Sequence, residues 1–329
     1  MSVDFGSNSA KKNLQQSSAL RGGRFLVLGG GDGWHANQLK TAAAKANCEL
    51  AFAPYETLAA NVSSDGDAGD GDASLYCSAG SLNEFDVILT RTMPPGSLEK
   101  ITFRLAILHA CVDQGLPVVN SPRGLEIAID KFATLQLVAN LGFRVPQTRV
   151  VQSRSEAMDA YNELGGDCVV KPLFGGEGRG VMRIRDPELA WYSFASLDQL
   201  GAVFYVQKFV RPGGRDTRIL LIGDKVIGLR RESEDDFRTN VIGGATCRQI
   251  SPANEQVEMA RKIVDSIGVS FASVDIIDSD DDCPRVLEVN AVPGWRGAQK
   301  VADTIIADHI ITLLQNTSAS TSSNHRGVS

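Results

Sequence analysis

Phe271-Ala272-Ser273-Val274-Asp275-Ile276-Ile277 and, after a short acidic connection, Arg285-Val286-Leu287-Glu288-Val289-Asn290 decide the reading of this chain. Both runs are apolar enough for buried strands, and the connection is short enough to close them into a hairpin. Three hard oxygen donors interrupt them. Glu288 and Asn290 lie two apart and share a face of their strand, and a hairpin places Asp275 beside them. Burying such groups without a cation is costly, and no cation accompanies them in sequence. The set Asp275, Glu288 and Asn290 has the donor chemistry of a Mg²⁺ site.

Other features with chemical potential lie upstream. Val170-Lys171-Pro172-Leu173-Phe174-Gly175-Gly176-Glu177-Gly178-Arg179-Gly180 is a strand ending in a lysine, followed by a glycine loop. Gly175, Gly176, Gly178 and Gly180 allow backbone N–H groups to approach a polyphosphate closely, and Lys171 supplies charge. The segment is not a P-loop, because no Gly-Lys-Ser/Thr closes it. Lys131 opens a helix, where the backbone favours anions, and a bound phosphate reconciles the two. Gln207-Lys208-Phe209-Val210 ends a strand, and backbone groups in such a hinge can hydrogen-bond an adenine edge. Arg215-Asp216-Thr217-Arg218 and the stretch from Arg230-Arg231 to Arg238-Thr239-Asn240 hold guanidinium groups suited to phosphate or carboxylate.

Around this core the chain alternates strand and helix at first. Arg24–Leu28 reads as a strand, Trp34–Asn47 as a helix, and Leu50–Phe52 and Phe85–Leu89 as strands. Ser97 caps a helix to Gln114 whose apolar face would be Ile101, Leu105, Leu108 and Val112. A parallel sheet with helices packed on it is expected there. From Lys131 onward the pattern is α+β with antiparallel strands. Thr217–Ile222 and Lys225–Arg230 join through the two-residue turn Gly223-Asp224. A closing helix spans about Ala298–Leu314. The termini, 1–21 and 316–329, are polar and expected to be disordered. Asp65–Asp72 reads as a solvated acidic loop, since Gly69 breaks the EF-hand pattern.

Several classes are disfavoured. The 329 residues suggest two or three domains, and 43% hydrophobic with 22% charged residues is ordinary for a soluble protein. The formal net charge of −6 argues against a general nucleic-acid binder. No apolar run is long enough to span a membrane, and no apolar segment follows Lys11-Lys12 as in a signal peptide. The six cysteines are scattered without zinc spacing, as in a reduced, cytoplasmic protein. Gly29-Gly30-Gly31-Asp32-Gly33-Trp34 misses the dinucleotide fingerprint, because its sixth position is Trp34. A nicotinamide oxidoreductase is therefore disfavoured, and no Ser/His/Asp set supports a hydrolase.

Taken together these residues resemble the ATP-grasp superfamily, from about Leu125 to Leu314, behind a Rossmann-like domain. Lys131-Phe132-Ala133-Thr134-Leu135-Gln136, Asp236-Phe237-Arg238-Thr239-Asn240 and Gly243-Gly244-Ala245 look most like RimK-type α-L-glutamate ligases. Arg91-Thr92-Met93-Pro94-Pro95-Gly96-Ser97-Leu98-Glu99 resembles relatives linked to tetrahydromethanopterin. The resemblance implies a tail (1–21), a Rossmann-like domain (22–123), a central sub-domain (124–205), a C-terminal sub-domain with the metal site (206–315) and a second tail (316–329).

It further implies that Lys131 and Lys171 hold the phosphates of ATP under the Gly175–Gly180 loop. Lys208 and Phe209 would contact adenine through their backbone, with Gln207 beside them. Asp216 would accept from the ribose. Asp275, Glu288 and Asn290 would hold one or two Mg²⁺ (or Mn²⁺) ions, and Arg238, then Arg218, with Asn240 nearby, would serve the transferring phosphoryl group. The implied reaction joins a carboxylate acceptor to an amine, L-glutamate first among candidates, through an acyl phosphate. Trp34 and His35 would line an acceptor pocket. Ligases of other amino acids or peptides, and a non-catalytic nucleotide-binding module, are the alternatives. Ser273 stands where D-alanine–D-alanine ligases carry Arg, and Lys208 where RimK-like hinges often carry Glu. Dimers and tetramers both occur in the family, so the oligomeric state stays open.

Overall fold

The computed structural model describes residues 22–62, 74–176, 178–239, 244–281 and 283–324. The acidic loop, the N-terminal tail, Asn240 and the last five residues lie outside them. The chain forms two compact units, one made of residues up to Pro122 together with those from Ile305 onward, the other Arg123–Thr304.

In the first unit, β1 (Arg24–Leu28), α1 (Trp34–Lys45), β2 (Glu49–Ala53), β3 (Ala59–Asn61), β4 (Ser74–Cys77), β5 (Gly80–Ser81), β6 (Val87–Thr90), α2 (Leu98–Asp113) and β7 (Val118–Val119) follow in order. The sheet β2-β1-β6-β7 is parallel throughout, as the alternation predicts. The small antiparallel sheet β3-β4-β5 was not expected, because its strands are too short to show a period. Ser97 caps α2 by accepting from Lys100 N. The buried face of α2 is Arg104, Ile107, Leu108 and Cys111, not the predicted one. Of the predicted four only Leu108 is buried, and Val112 is 43% exposed. An arginine occupies this face because its guanidinium donates to Pro94 O at 2.7 Å and pairs with Glu56.

The last helix also differs from expectation. Arg296–Gln299 is a separate short turn, and the long helix Ile306–Asn324 runs through residues expected to be a tail. Ile310, Ile311 and Leu314 bury its inner face within the first unit. Its Ser/Thr-rich end continues helical because Thr317 donates to Leu313 O at 2.9 Å and Ser320 and Thr321 donate to Thr317 O. Hydroxyls that bond back to helix carbonyls satisfy themselves without leaving the helix.

α3 (Pro122–Ile129) starts at the unit boundary, and α4 (Lys131–Asn140), β8 (Thr148–Val151), α5 (Arg154–Glu163), β9 (Cys168–Lys171), β10 (Met182–Ile184), α6 (Pro187–Gln199) and β11 (Phe204–Lys208) follow in the second unit. β12 (Arg215–Ile222), β13 (Lys225–Glu232), β14 (Thr246–Ile250), α7 (Asn254–Ile267), β15 (Phe271–Ile277) and β16 (Arg285–Asn290) follow. They make two antiparallel sheets, β10-β9-β11-β8 and β14-β13-β12-β15-β16. In the first, Cys168, Val170, Phe204 and Val206 pack against Ala157, Tyr161, Ala190 and Phe194 of α5 and α6. Strand alternation turns Val169, Lys171, Tyr205 and Gln207 to the opposite face. One face of this sheet is core, and the other is free to build a site. Among the described residues all six cysteines are free thiols, and no helix is long and apolar enough to cross a membrane.

Candidate active site

A solvent-open cleft of about 1010 Å³ lies within the second unit. Lys131, Lys171, Gly175, Gly176, Gly178, Gln207, Lys208, Phe209, Asp216, Arg218, Arg238, Asp275, Glu288 and Asn290 all line it. Residues far apart in sequence thus meet in one place. Gly180 does not line the cleft. It shapes the turn, with φ of +70° and a Cβ position 2.8 Å from Pro172 Cγ.

The predicted metal residues lie on one sheet face. Asp275 sits opposite Glu288 in the β15–β16 register, and Asn290 is two positions along. The expectation that the carboxylates lack a cation is wrong for Asp275. Arg218, opposite it on β12, donates from Nε and Nη2 at 2.7 Å each. Arg231 Nη2 adds a third bond at 2.8 Å. Burial alone would push the Asp275 carboxyl up, but the two guanidinium groups hold it well below the usual range. A carboxylate has roughly four acceptor positions, so one remains for a metal. Glu288 makes no ion pair among the described residues, and Asn290 Oδ1 accepts only from Val292 N, at 2.9 Å. Two carboxylates and an amide oxygen are hard donors, and this set fits Mg²⁺.

Asp216 lines the same cleft. It is 1% exposed, Arg231 grips it from Nε at 2.7 Å and from Nη2, and Thr239 Oγ1 donates to it. Burial raises its carboxyl, Arg231 opposes this, and Asp275 adds to it. Arg231 therefore bridges two buried carboxylates, a role that the sequence reading did not assign.

The hinge backbone is partly committed within the fold. Lys208 N donates to Gln147 O at 2.8 Å and Phe209 N to Asp167 O at 2.9 Å, so neither N–H can serve a base. Val210 N–H makes no hydrogen bond among the described residues and also lines the cleft. The Phe209 ring packs under the Arg183 guanidinium, 3.3 Å from the ring centroid, and edge-on to Phe237.

The two lysines differ. Lys131 begins α4 behind an Asp130 N-cap, and its Nζ donates to Gly175 O at 2.6 Å, tying down the glycine loop. Burial lowers its pKa, partly opposed by Glu288 and Asp130. Lys171 is buried, with Nζ donating to Gln207 Oε1 at 2.7 Å. Burial pulls it down to about 8, against the field of Glu288. Arg238 is 42% exposed at its side chain and pairs with Asp236 at the mouth.

The loop carrying Phe237 and Arg238 is held by Gly214, whose N–H donates to Phe237 O and whose carbonyl accepts from Ser233 N. Gly214 has φ of +66°, and a Cβ there would lie 2.7 Å from Ser233 O and 3.0 Å from Asp236 O. Gly214→Ala is expected to cost about 1–3 kcal/mol through backbone strain and to weaken nucleotide binding. Urea unfolding and calorimetric titration with MgADP check both.

Trp34 and His35 line a different cleft, within the first unit, with Phe52, Arg91 and the Gly29–Gly33 turn.

The RimK-like ATP-grasp domain matches residues 128–314. A tetrahydromethanopterin:alpha-L-glutamate ligase of Methanosarcina acetivorans is 30% identical over 265 residues, covering 71% of this chain and 81% of that protein. A probable alpha-L-glutamate ligase of Sodalis glossinidius is 32% identical over 246 residues, covering 74% and 81%. The ATP-grasp ligase PsnB, solved with minimal precursor, Mg and ADP, superposes with a TM-score of 0.69 at 21% identity, covering 89% of this chain and 97% of that one. That likeness is one of fold, the ATP-grasp fold. The family match and the sequence relatives together establish that this chain belongs to the RimK-like ATP-grasp ligases.

Proposed function

We propose that this ligase forms an amide between a carboxylate acceptor and L-glutamate, using ATP and Mg²⁺ and passing through an acyl phosphate. The observation that carries the reading is the convergence of Lys131, Lys171, Arg218, Asp275, Glu288 and Asn290 in one cleft. The names of the sequence relatives favour glutamate as the amine.

In this reading Val210 N–H and the Lys208 carbonyl hydrogen-bond the adenine edge. Lys131 and Lys171 bind phosphate oxygens, and Gly175, Gly176 and Gly178 bring backbone N–H groups over them. Asp275, Glu288 and Asn290 would hold Mg²⁺, which when bound supplies charge neutralisation to the phosphates. The acceptor carboxylate attacks the γ-phosphorus, the bond to the β-phosphate oxygen breaks, and ADP is released from the reacting group. The glutamate amine then attacks the acyl carbon, phosphate leaves, and the amine loses a proton. Arg218 and Arg238 stabilise the transferring phosphoryl group, so the protein's contribution is positioning and electrostatics. In this reading Asp216 holds Arg231 at the cleft wall.

The test is nucleotide product analysis across carboxylic acids and peptides crossed with amino acids. ADP and phosphate forming only when both an acid and glutamate are present supports the reading. AMP and pyrophosphate would overturn the acyl-phosphate route. Tight Mg²⁺-dependent nucleotide binding with no product under any pair would favour the non-catalytic module.

A further inference from the structure

We propose that Gln207 is the positioning residue for Lys171, fixing its ammonium toward the cleft with an uncharged acceptor that leaves the lysine's charge available to phosphate. This rests on the reading of Lys171 as a phosphate ligand.

Lysine carries a compact charge on a flexible four-carbon stem and does not hold one direction by itself. In this cleft Lys171 is 8% exposed, so its donors need acceptors. Among the described residues Gln207 Oε1 is the hydrogen-bond acceptor of Lys171 Nζ, at 2.7 Å. Gln207 is 1% exposed and has its own supports. Its Nε2 donates to Thr148 Oγ1 at 2.9 Å and to Tyr205 OH at 3.2 Å, and Thr148 Oγ1 donates onward to Pro146 O at 2.8 Å. An ammonium has only donors, so the amide must present its oxygen to Lys171 and its nitrogen to the hydroxyls. The amide therefore has one orientation.

The charge of the acceptor matters as much as its place. A carboxylate at this position would pair with Lys171 and compete with phosphate. An amide holds the ammonium without neutralising it. The other charged groups near Lys171 are Glu288 and Asp275, which favour its charged form, and Lys131, which opposes it. None of them forms an ion pair with Lys171 among the described residues. The Tyr205 ring lies 6.0 Å away.

The experiment is the dissociation constant of MgADP measured from about pH 6.5 to 9.5, which needs no acceptor. In the wild type, affinity is expected to hold up to about pH 8, to which burial lowers Lys171, and then to fall by up to roughly tenfold per pH unit. Lys171→Arg is expected to abolish that inflection, because a guanidinium does not titrate there. Gln207→Met is expected to weaken binding by about tenfold near pH 7 and to move the inflection down, having removed the acceptor. Gln207→Glu is expected to move the inflection up, because a carboxylate stabilises the ammonium and Tyr205 OH can donate to it. Opposite shifts are the signature of action through Lys171. An unchanged inflection in both variants, or the same shift in both, overturns the proposal. MgADP binding of wild-type strength in Lys171→Met would instead overturn the phosphate role of Lys171, and the proposal with it.

Discussion

Arg231→Met is expected to destabilise the fold by about 3–5 kcal/mol near neutral pH, because it leaves the buried Asp216 carboxylate without a cation. Arg231 is 6% exposed, and its partners Asp216 and Asp275 are 1% and 5% exposed. In the variant Asp275 keeps Arg218, but Asp216 keeps only the Thr239 hydroxyl. Methionine fills much of the space of the arginine stem, so lost volume is a minor part of the effect. The loss should depend on pH with a definite sign. Asp216 already has a folded-state pKa above its ordinary value, and losing Arg231 raises it further. Such a carboxyl binds more protons folded than unfolded, so its contribution to stability falls as pH rises through that window. The deficit should therefore shrink in acid and reach its full size near neutrality. Urea unfolding of both proteins at several pH values checks this. A loss under about 1 kcal/mol at neutral pH would mean that the carboxylates find other partners, or that the bridge contributes only as exposed pairs do.

Glu288→Ala is expected to lower glutamate-dependent ADP release by a factor on the order of 10²–10³ while leaving the fold intact. Glu288 sits at the cleft opposite Asp275, is half-buried, and makes no ion pair among the described residues. Removing it breaks no internal bridge, so the urea midpoint should stay near that of the wild type. Asp275→Ala should also abolish turnover, but it leaves Arg218 and Arg231 facing each other across the gap and should destabilise as well. The pair of variants separates metal binding from structural support. Wild-type turnover in Glu288→Ala, with an unchanged Mg²⁺ requirement, would remove Glu288 from the metal site.

Much of this site was legible because strand registers follow from turns. The turn Gly223-Asp224 sets Ile222 opposite Lys225, and counting back along both strands puts Arg231 opposite Asp216. That arithmetic needed only the sequence, and it would have revealed the bridge that residue-by-residue reading of the arginine group overlooked. Arg230 and Arg231 are adjacent, so alternation sends them to opposite faces, and Arg230 pairs with Asp278 instead. The helix Pro187–Gln199 was also overlooked although its signal was present: Asp186 caps it and Pro187 opens it.

Other features could not be read in advance. The exclusion of Lys208 and Phe209 N–H from base recognition depends on Gln147 and Asp167, which reach them across the sheet. The buried arginine on α2 depends on Glu56, distant in sequence, and on the Pro94 carbonyl in the loop before the helix. A helical periodicity scored on apolar residues has no way to count Arg104 as inward. The role of Gln207 was hidden for the same reason. Its side chain gains meaning only when antiparallel pairing of β11 with β9 brings it beside Lys171.

In the proposed reaction this cleft activates a carboxylate by transferring the γ-phosphoryl group of ATP to it. The most direct measurement uses an accepted acid labelled with ¹⁸O in its carboxylate, with MgATP and L-glutamate, and mass analysis of the phosphate released. One labelled oxygen is expected to pass from the acid into each phosphate formed, in step with the amide. Amide formation with unlabelled phosphate, or label recovered in AMP, would contradict it.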